Sequence, residues 1–383
     1  MTEPIYLDHN ATTPLDRQVL DKMLPYFCDV FGNPSSIDHL HGHKAKQAVE
    51  SARQKIAKLL GCRKESEIIF TSGATEANNL ALIGAYRRLR DKGRHIISSS
   101  IEHPAVRDTL RYLQKEGAEV TLLPVDRYGV VDVDALRAAI RNDTILISVM
   151  FANNEIGTIQ PIKEIGAIAK AAGVLFHVDA AQAVGHEPVH VYDLNVDLLS
   201  FSAHKFYGPK GIGGLFVRSF SPMVRLDAMT FGGGHERGLR PGTLDVPGIV
   251  GMAEALALAV QIQKAEQQRV REMTCVIVAE LQAAFAVIRV NGHPNQRLAH
   301  NLSLTIPGVE SKALIHLLKD KLSFSAGSAC STTKVEPSYV LKAIGLSDDE
   351  TFQTIRLGLG RATGNAGEIA EMLKQGIRQI LLR

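Results

Sequence analysis

The chain has 383 residues, and at about 150 residues per domain this length predicts two or three domains or one large enzyme. Its 43 lysines and arginines against 40 aspartates and glutamates leave a net charge of +3, which favours neither nucleic acid nor an anionic membrane as a partner. Tryptophan is absent and aromatic residues make up only 5%, which argues against a surface that stacks single-stranded bases.

The N-terminal sequence MTEPIYLDHNATTP has neither the basic segment nor the apolar run of a signal peptide. We find no stretch of about 18 uninterrupted apolar residues, the length that predicts a membrane-spanning helix. These observations predict a cytoplasmic protein.

Seven short apolar runs, rich in β-branched and aromatic residues, have the composition of buried strands. They are EIIFT (67–71), HIISSS (95–100), EVTLLPV (119–125), TILISVM (144–150), VLFHVD (174–179), LLSFSA (198–203) and GLFVR (214–218). Helical patterns separate most of them, most clearly at 76–90, 104–116, 134–140 and 162–172. This alternation predicts an α/β domain with a mostly parallel seven-stranded sheet. The last two strands are too close together for a crossover helix, so we expect them to pair antiparallel.

After Pro247, an Ala/Leu/Glu-rich segment up to Val290 predicts one or two helices that lead out of this domain. The remaining pattern predicts a smaller α+β domain with strands in LAHNLSLTIPG and TIRLGLGR and a helix in SKALIHLLKDK. We place the large domain at 15–260 and the small domain at 1–14 and 261–383.

Polar residues follow most of the predicted strands, where an open α/β sheet binds its ligands. Taken singly, each also fits an ordinary helix cap, turn or surface residue. They are Ala74 and Thr75 at a helix start, His103, Asn153 and Asn154, Asp179 and Gln182, and Ser202, His204 and Lys205. Together they offer a phosphate cradle, an acid, an imidazole, amides and a lysine. This set fits pyridoxal phosphate (PLP), which needs a lysine to bond its aldehyde, a carboxylate for its pyridine nitrogen and donors for its phosphate.

With these residues in these positions, the sequence resembles the NifS/IscS-type cysteine desulfurases of the class V aminotransferase family, which have the type I PLP-dependent transferase fold. Ten segments match the family pattern in order: YLDHNATTP, FGNPSSIDHLHGHKA, TSGATEANN, SSIEHPAV, NNEIGTIQPI, HVDAAQAVG, SFSAHKFYGPKGIG, LRPGTLDV, SAGSACS and EPSYVLKAIG. The resemblance covers nearly the whole chain.

The resemblance implies that Lys205 bonds PLP, that Asp179 pairs with the pyridine nitrogen, and that His103 stacks on the ring and moves protons. Gln182, and also Asn154, would bond the phenolic oxygen. The phosphate ligands implied are Ala74, Thr75, Ser202, His204 and, from the second subunit of a homodimer, Thr243. Arg356 would bind the substrate carboxylate with Asn154 nearby, because a planar guanidinium can pair with both carboxylate oxygens.

Of the four cysteines, Cys330 lies in the polar loop sequence SAGSACSTT, where a nucleophile can reach its target and then an acceptor. Cys28, Cys62 and Cys275 lie in predicted helices or at helix ends, and we predict structural roles for them. His39, His41 and His43 could chelate a metal, but no carboxylate or cysteine completes the set, so we predict no metal site.

The implied reaction converts L-cysteine to L-alanine and leaves the sulfur on Cys330 as a persulfide for an acceptor protein. The acceptor could serve iron–sulfur cluster assembly, tRNA thiolation or DNA phosphorothioation. Two alternatives stay open at this point. One is another class V PLP enzyme, a selenocysteine lyase or aminotransferase. The other is a non-enzymatic iron–sulfur carrier or redox sensor, against which the unpaired cysteines argue.

Overall fold

The structure is a computed structural model that describes residues 3–326 and 336–382. Its strands are β1 (Ile5–Tyr6), β2 (Ile68–Thr71), β3 (His95–Ser99), β4 (Glu119–Leu123), β5 (Thr144–Ser148), β6 (Leu175–Asp179), β7 (Leu198–Ser202), β8 (Gly213–Val217), β9 (Arg289–Asn291), β10 (Asn301–Thr305), β11 (Leu322–Ser323), β12 (Ser325–Ala326) and β13 (Thr354–Gly358). Its helices are α1 (Arg17–Met23), α2 (Pro25–Cys28), α3 (Leu40–Leu59), α4 (Ala74–Leu89), α5 (Pro104–Lys115), α6 (Val133–Ala139), α7 (Ile162–Ala172), α8 (Val246–Ala284), α9 (Ser311–Leu318), α10 (Tyr339–Ala343), α11 (Asp348–Phe352) and α12 (Ala366–Leu381).

The central sheet has seven strands in the order β2-β8-β7-β6-β5-β3-β4. The five strands from β7 to β4 in this order run parallel, whereas β8 is antiparallel to both of its neighbours. All seven predicted strands are present, and the predicted antiparallel pairing of β7 with β8 is confirmed. Helices α5, α6 and α7 connect β3 to β4, β4 to β5 and β5 to β6, whereas the crossover from β6 to β7 consists of turns.

A second, four-stranded sheet is antiparallel and has the order β12-β13-β10-β9. Its strands and helices α8, α9 and α12 supply an apolar core that includes Leu281, Leu304, Leu357 and Leu373. Leu7, from the start of the chain, is buried in the same core. The expected smaller α+β part is therefore present, while its exact division from the large domain stays a prediction.

The segment predicted as one or two helices is the single 39-residue helix α8. By length and composition it could cross a membrane, but 56% of its most apolar window is buried inside the protein. Its N-terminal part contributes Ile249, Met252 and Leu256 to the core of the central sheet. Its C-terminal part contributes Ile277 and Leu281 to the second core. The helix is thus a core element that both apolar clusters share.

A buried ion pair fixes the segment between β8 and α8 to the central sheet. Arg53 of α3 donates to the Glu236 carboxylate at 2.9 and 2.7 Å, and the Phe70 N–H donates to the same carboxylate at 2.7 Å. Glu236 has a φ of +48°, which is uncommon for a residue with a side chain. Three donors to one carboxylate offset that conformational cost and the cost of burial.

We expect Glu236→Ala to lower the free energy of unfolding by about 3–5 kcal/mol, because Arg53 would keep a buried charge without its partner. Urea denaturation followed by circular dichroism measures this change. Glu50 is the matched control, since it contacts the same arginine at 3.4 Å but has a half-exposed side chain. Glu50→Gln should cost about 1 kcal/mol or less. Equal losses in the two variants would contradict the prediction.

Candidate active site

The carboxyl ends of the parallel strands meet at one edge of the central sheet, and the predicted site residues collect there. Asp179 ends β6 and Ser202 ends β7. Lys205 follows in a short 3-10 turn, Ala203–Lys205. Because neighbouring strands are in register, Asp179 pairs with Ser200, two residues before Ser202. The sheet therefore sets the spacing between the acid and the lysine.

Lys205 binds the backbone of the N-terminal segment. Its ammonium donates to the carbonyl oxygens of Asn10 and Ala11 at 2.7 and 2.8 Å. The Lys205 carbonyl in turn is bonded by His186 Nε2 at 2.8 Å, so the backbone of the lysine is also held. Burial, followed by the positive charge of Arg356, lowers the pKa of Lys205 to about 8. The amine is thus much easier to deprotonate than an ordinary lysine.

Asp179 is buried and accepts hydrogen bonds from neutral groups. Its Oδ2 accepts from Asn78 Nδ2 at 2.7 Å, and its Oδ1 accepts from the Ala181 N–H at 3.0 Å. A buried carboxylate charge is costly unless a cation balances it. Asp179 therefore has the environment expected of a residue that pairs with a cationic ligand.

The start of α4 lies against the end of β7 and forms a small cradle. A Cβ built on Gly73 would lie 3.5 Å from Ser202 Oγ, so the hydroxyl faces the turn that leads into Ala74 and Thr75. A Cβ on Gly213 would lie 2.6 Å from the Gly73 Cα, so only glycine at 213 permits this close approach. Backbone N–H groups at a helix start, beside a serine hydroxyl, suit an anionic ligand.

Two further predicted cofactor residues lie beside this cradle and the lysine. His204 Nδ1 lies 3.1 Å from Thr12 Oγ1, and burial, followed by the charges of two lysines, lowers the pKa of His204 to about 4. The imidazole is therefore neutral near pH 7. Gln182 Nε2 donates to the Asn10 carbonyl at 2.9 Å, the same oxygen that Lys205 binds.

His103 caps helix α5 and remains accessible to solvent. Its Nδ1 accepts from the Ala105 N–H at 3.1 Å, so a neutral ring carries its proton on Nε2. Loss of hydration is the main cause of its lowered pKa, which Asp179 opposes and Lys205 reinforces. The preceding residue, Glu102, is fully buried, and burial raises its pKa to about 8.

Arg356 lies in β13 of the second sheet. Its side chain is buried, so it is not an ordinary surface charge on a strand. Its Nη2 donates to Asp8 Oδ1 and to Ser325 Oγ, both at 2.9 Å. Its Nη1 lies 3.3 Å from the Asn154 carbonyl. Arg356 Nε is buried and has no partner among the residues that the structure describes. The guanidinium can therefore donate a further hydrogen bond in addition to the one that Asp8 accepts.

Asn153 and Asn154 have different positions. The side chain of Asn153 is buried, accepts from the N–H groups of Glu155 and Ile156, and donates to the Ile101 carbonyl, as a turn residue does. Asn154 is half-buried, and its carbonyl faces Arg356. Of the two, Asn154 is therefore the one that lies beside Arg356.

The structure does not place two of the predicted residues in this group. Cys330 lies outside the described residues. Thr243 is exposed in the loop that precedes α8. The other cysteines lie where the helical pattern predicted, but Cys28 and Cys275 are exposed, so only Cys62 is partly buried. Burial raises the pKa of Cys62, which keeps this thiol protonated.

Sequence reasoning assigned no role to Asp8, Asn10, Asn78 or Glu102, although each contacts a predicted residue or adjoins one. Asp8 and Asn10 fall in the YLDHNATTP motif, and Asn78 falls in TSGATEANN. Asn78 could have been found from the sequence. It comes three residues after Thr75, a predicted site residue, and therefore lies on the same face of the helix.

The side chains at this edge fit PLP. Asp179 offers a buried negative charge with neutral partners, Lys205 offers an amine with a lowered pKa, and the Gly73–Ser202 cradle offers anion donors. These are the three groups that the cofactor requires.

The chain is similar to known proteins over nearly its whole length. The model of the class-V aminotransferase family matches residues 5–367. A "Cysteine desulfurase IscS" of Anaeromyxobacter sp. (strain Fw109-5) is 50% identical over 363 residues, which cover 95% of this chain and 89% of that relative. A solved structure described as a NifS-like protein has a TM-score of 0.90 and 36% identity, with 99% of each chain covered. Another, described as SspA in complex with cysteine, has a TM-score of 0.79 and 38% identity, covering 93% of this chain and 98% of that one.

The type I PLP-dependent fold expected from the resemblance is therefore confirmed. The chain belongs to the class-V aminotransferase family of PLP-dependent enzymes and, within it, to the cysteine desulfurases.

Proposed function

We propose that this chain converts L-cysteine to L-alanine with PLP bonded to Lys205, and that Cys330 receives the sulfur. One observation supports the assignment of the site: residues 8–11 contact both cations, because Asp8 accepts from Arg356 at 2.9 Å and the Asn10 and Ala11 carbonyls accept from Lys205 at 2.7 and 2.8 Å. An amine and a carboxylate-binding guanidinium held by one four-residue segment suit the two ends of an α-amino acid. The SspA structure in complex with cysteine supports the same substrate.

When bound, PLP supplies an electron sink for the substrate carbon next to the amine. Asp179 would hold the ring nitrogen in its protonated form, and Ala74, Thr75, Ser202 and His204 would bind the phosphate. Gln182 and Asn154 would contact the phenolic oxygen. The Lys205 amine, once free, would move the α-proton, and His103 would exchange a proton through Nε2.

Cys330 would act as the nucleophile toward sulfur. Its thiolate forms a sulfur–sulfur bond as the carbon–sulfur bond of the substrate breaks, and a proton passes to that carbon. The products are L-alanine and a persulfide on Cys330, so atoms and electrons balance. A soft thiolate is suited to this displacement, and a persulfide is a reversible modification that an acceptor protein can remove.

We also propose a homodimer in which Thr243 completes the phosphate site of the second subunit. Two observations on the loop that carries Thr243 support this proposal. The Arg240–Glu76 ion pair, at 3.1 Å, holds the loop near the start of α4, and Thr243 itself is exposed, so a second subunit can reach it. The sulfur acceptor would be an iron–sulfur scaffold or a thiolation protein. A cytoplasmic location fits this role, because the thiol of Cys330 must be kept reduced.

The Lys205 amine must be neutral to attack the cofactor aldehyde, so capture of PLP by cofactor-free protein should depend on pH. Below about pH 8 the rate of covalent capture should rise roughly tenfold per pH unit, and above it the rate should level off. Stopped-flow absorbance between pH 6 and 10 measures this profile. Lys205→Ala should show no covalent capture, whereas Lys210→Ala, at an exposed lysine nearby, should behave like the wild type. A midpoint near the ordinary lysine value would contradict the prediction.

Cys330→Ser should bind PLP normally and change its absorbance on addition of L-cysteine, because serine retains the size but not the sulfur nucleophile. L-Alanine release should fall at least about a hundredfold, and mass spectrometry should find no persulfide. The matched controls are Cys28→Ser and Cys275→Ser, which change exposed thiols. Substantial L-alanine formation by Cys330→Ser, or loss of persulfide in a control, would overturn the assignment.

In the proposed dimer, Thr243→Ala should weaken PLP binding about 10- to 150-fold, the effect of one lost hydrogen bond to a charged group. Sedimentation should still show a dimer, because the substitution removes only a hydroxyl. A fully active wild-type monomer in the centrifuge would remove the idea of a shared phosphate site.

A further inference from the structure

Asp8 stands directly beside the proposed carboxylate-binding arginine. Asp8 Oδ1 accepts from Arg356 Nη2 at 2.9 Å and from Ser325 Oγ at 2.6 Å. The Arg356 side chain is 2% exposed, whereas the Asp8 side chain is 24% exposed. The aspartate therefore occupies the more open side of a buried guanidinium.

The backbone fixes Asp8 in this position. Asp8 forms a parallel bridge with Gly358, and Leu7 and His9 bond to the same strand. The Leu7 carbonyl accepts from the Gly358 N–H at 2.7 Å, and the His9 N–H donates to the Gly358 carbonyl at 3.2 Å. Gly358 is two residues from Arg356 in β13, so the bridge holds Asp8 beside the strand that carries the arginine.

Three charged side chains act on Lys205, whose pKa is lowered first by burial. Arg356 lowers the pKa of Lys205, while Asp179 and Asp8 both raise it. Asp179 belongs to the cofactor side of the lysine, and Asp8 belongs to the substrate side. Asp8 is the one carboxylate among the described residues that directly contacts Arg356.

We propose that Asp8 is a positioning residue that orients Arg356 and partly neutralises it, so that the carboxylate of a bound amino acid is held weakly enough to exchange. This inference rests on the proposed role of Arg356. A buried guanidinium without an ion-pair partner would bind the carboxylates of substrate and product equally tightly. Tight binding of both raises neither the rate of the chemical step nor that of product release. Asp8 repels the incoming carboxylate and thereby favours the departure of L-alanine.

The test measures the equilibrium binding of L-alanine to the PLP-loaded enzyme, followed by the absorbance of the bound cofactor. L-Alaninamide serves as the analogue without a carboxylate. In Asp8→Asn, the amide oxygen can still accept from Arg356 but the charge is gone. The dissociation constant for L-alanine should fall about tenfold, the scale of one unit charge at the edge of a partly buried site. The constant for L-alaninamide should stay unchanged.

Asp8→Ala removes the acceptor as well as the charge, so Arg356 loses its orientation. Its dissociation constant for L-alanine should lie about fivefold above that of Asp8→Asn, the effect of one lost hydrogen bond. Asp16→Asn is the matched control, since Asp16 pairs with Arg361 at 3.0 Å in the same N-terminal segment and has similar exposure, 18%. It should leave both constants unchanged.

Two outcomes overturn the proposal: an unchanged L-alanine constant in Asp8→Asn, or an equal change for L-alanine and L-alaninamide. Arg356→Gln, combined with Asp8→Asn so that no charge is left unpaired, tests the underlying role of the arginine. If the double variant still prefers L-alanine over L-alaninamide as the wild type does, then Arg356 is not the carboxylate ligand. If that preference is lost while Asp8→Asn alone has no effect, only the role of Asp8 is wrong.

Discussion

The two hydrogen bonds from the Lys205 ammonium to the carbonyls of Asn10 and Ala11 are the contact on which the site depends. They join the sheet that carries the lysine to an N-terminal segment whose Leu7 is buried in the second core. A few residues later, Thr13 bonds the His204 carbonyl through both its N–H and its hydroxyl. One short stretch of backbone therefore sets the distance between the amine and the strand of Arg356.

Backbone carbonyls are suited to this task, because they stabilise an ammonium without fixing its charge as a carboxylate would. A carboxylate in direct contact would raise the lysine pKa, whereas burial and a nearby guanidinium lower it. The site places its carboxylates elsewhere. Asp179 lies at the end of β6 and Asp8 lies against Arg356, so each negative charge serves a different group.

Much of the fold could be predicted because the central strands are buried on both sides. Such strands are continuous apolar runs, and seven were visible. The bounds of helix α3 were not predicted, since its polar face and the histidines at its start obscure the period. Among site residues, those that end strands could be found by position alone. Asp8 could not, because its partner Arg356 is 348 positions away, and only the parallel bridge to Gly358 brings them together.

Helix α8 runs without a break through both cores. The number of residues between its two apolar parts therefore sets the angle at which one part faces relative to the other. Each residue of an α-helix turns the chain by about 100° and advances it by about 1.5 Å. One residue inserted between Leu256 and Ile277, which face different cores, would turn everything beyond it by that angle. Either the apolar residues beyond the insertion would leave the second core, or that core and the strand of Arg356 would have to turn with them. The chemistry of this enzyme therefore depends on a residue count in a helix whose own side chains take no part in it.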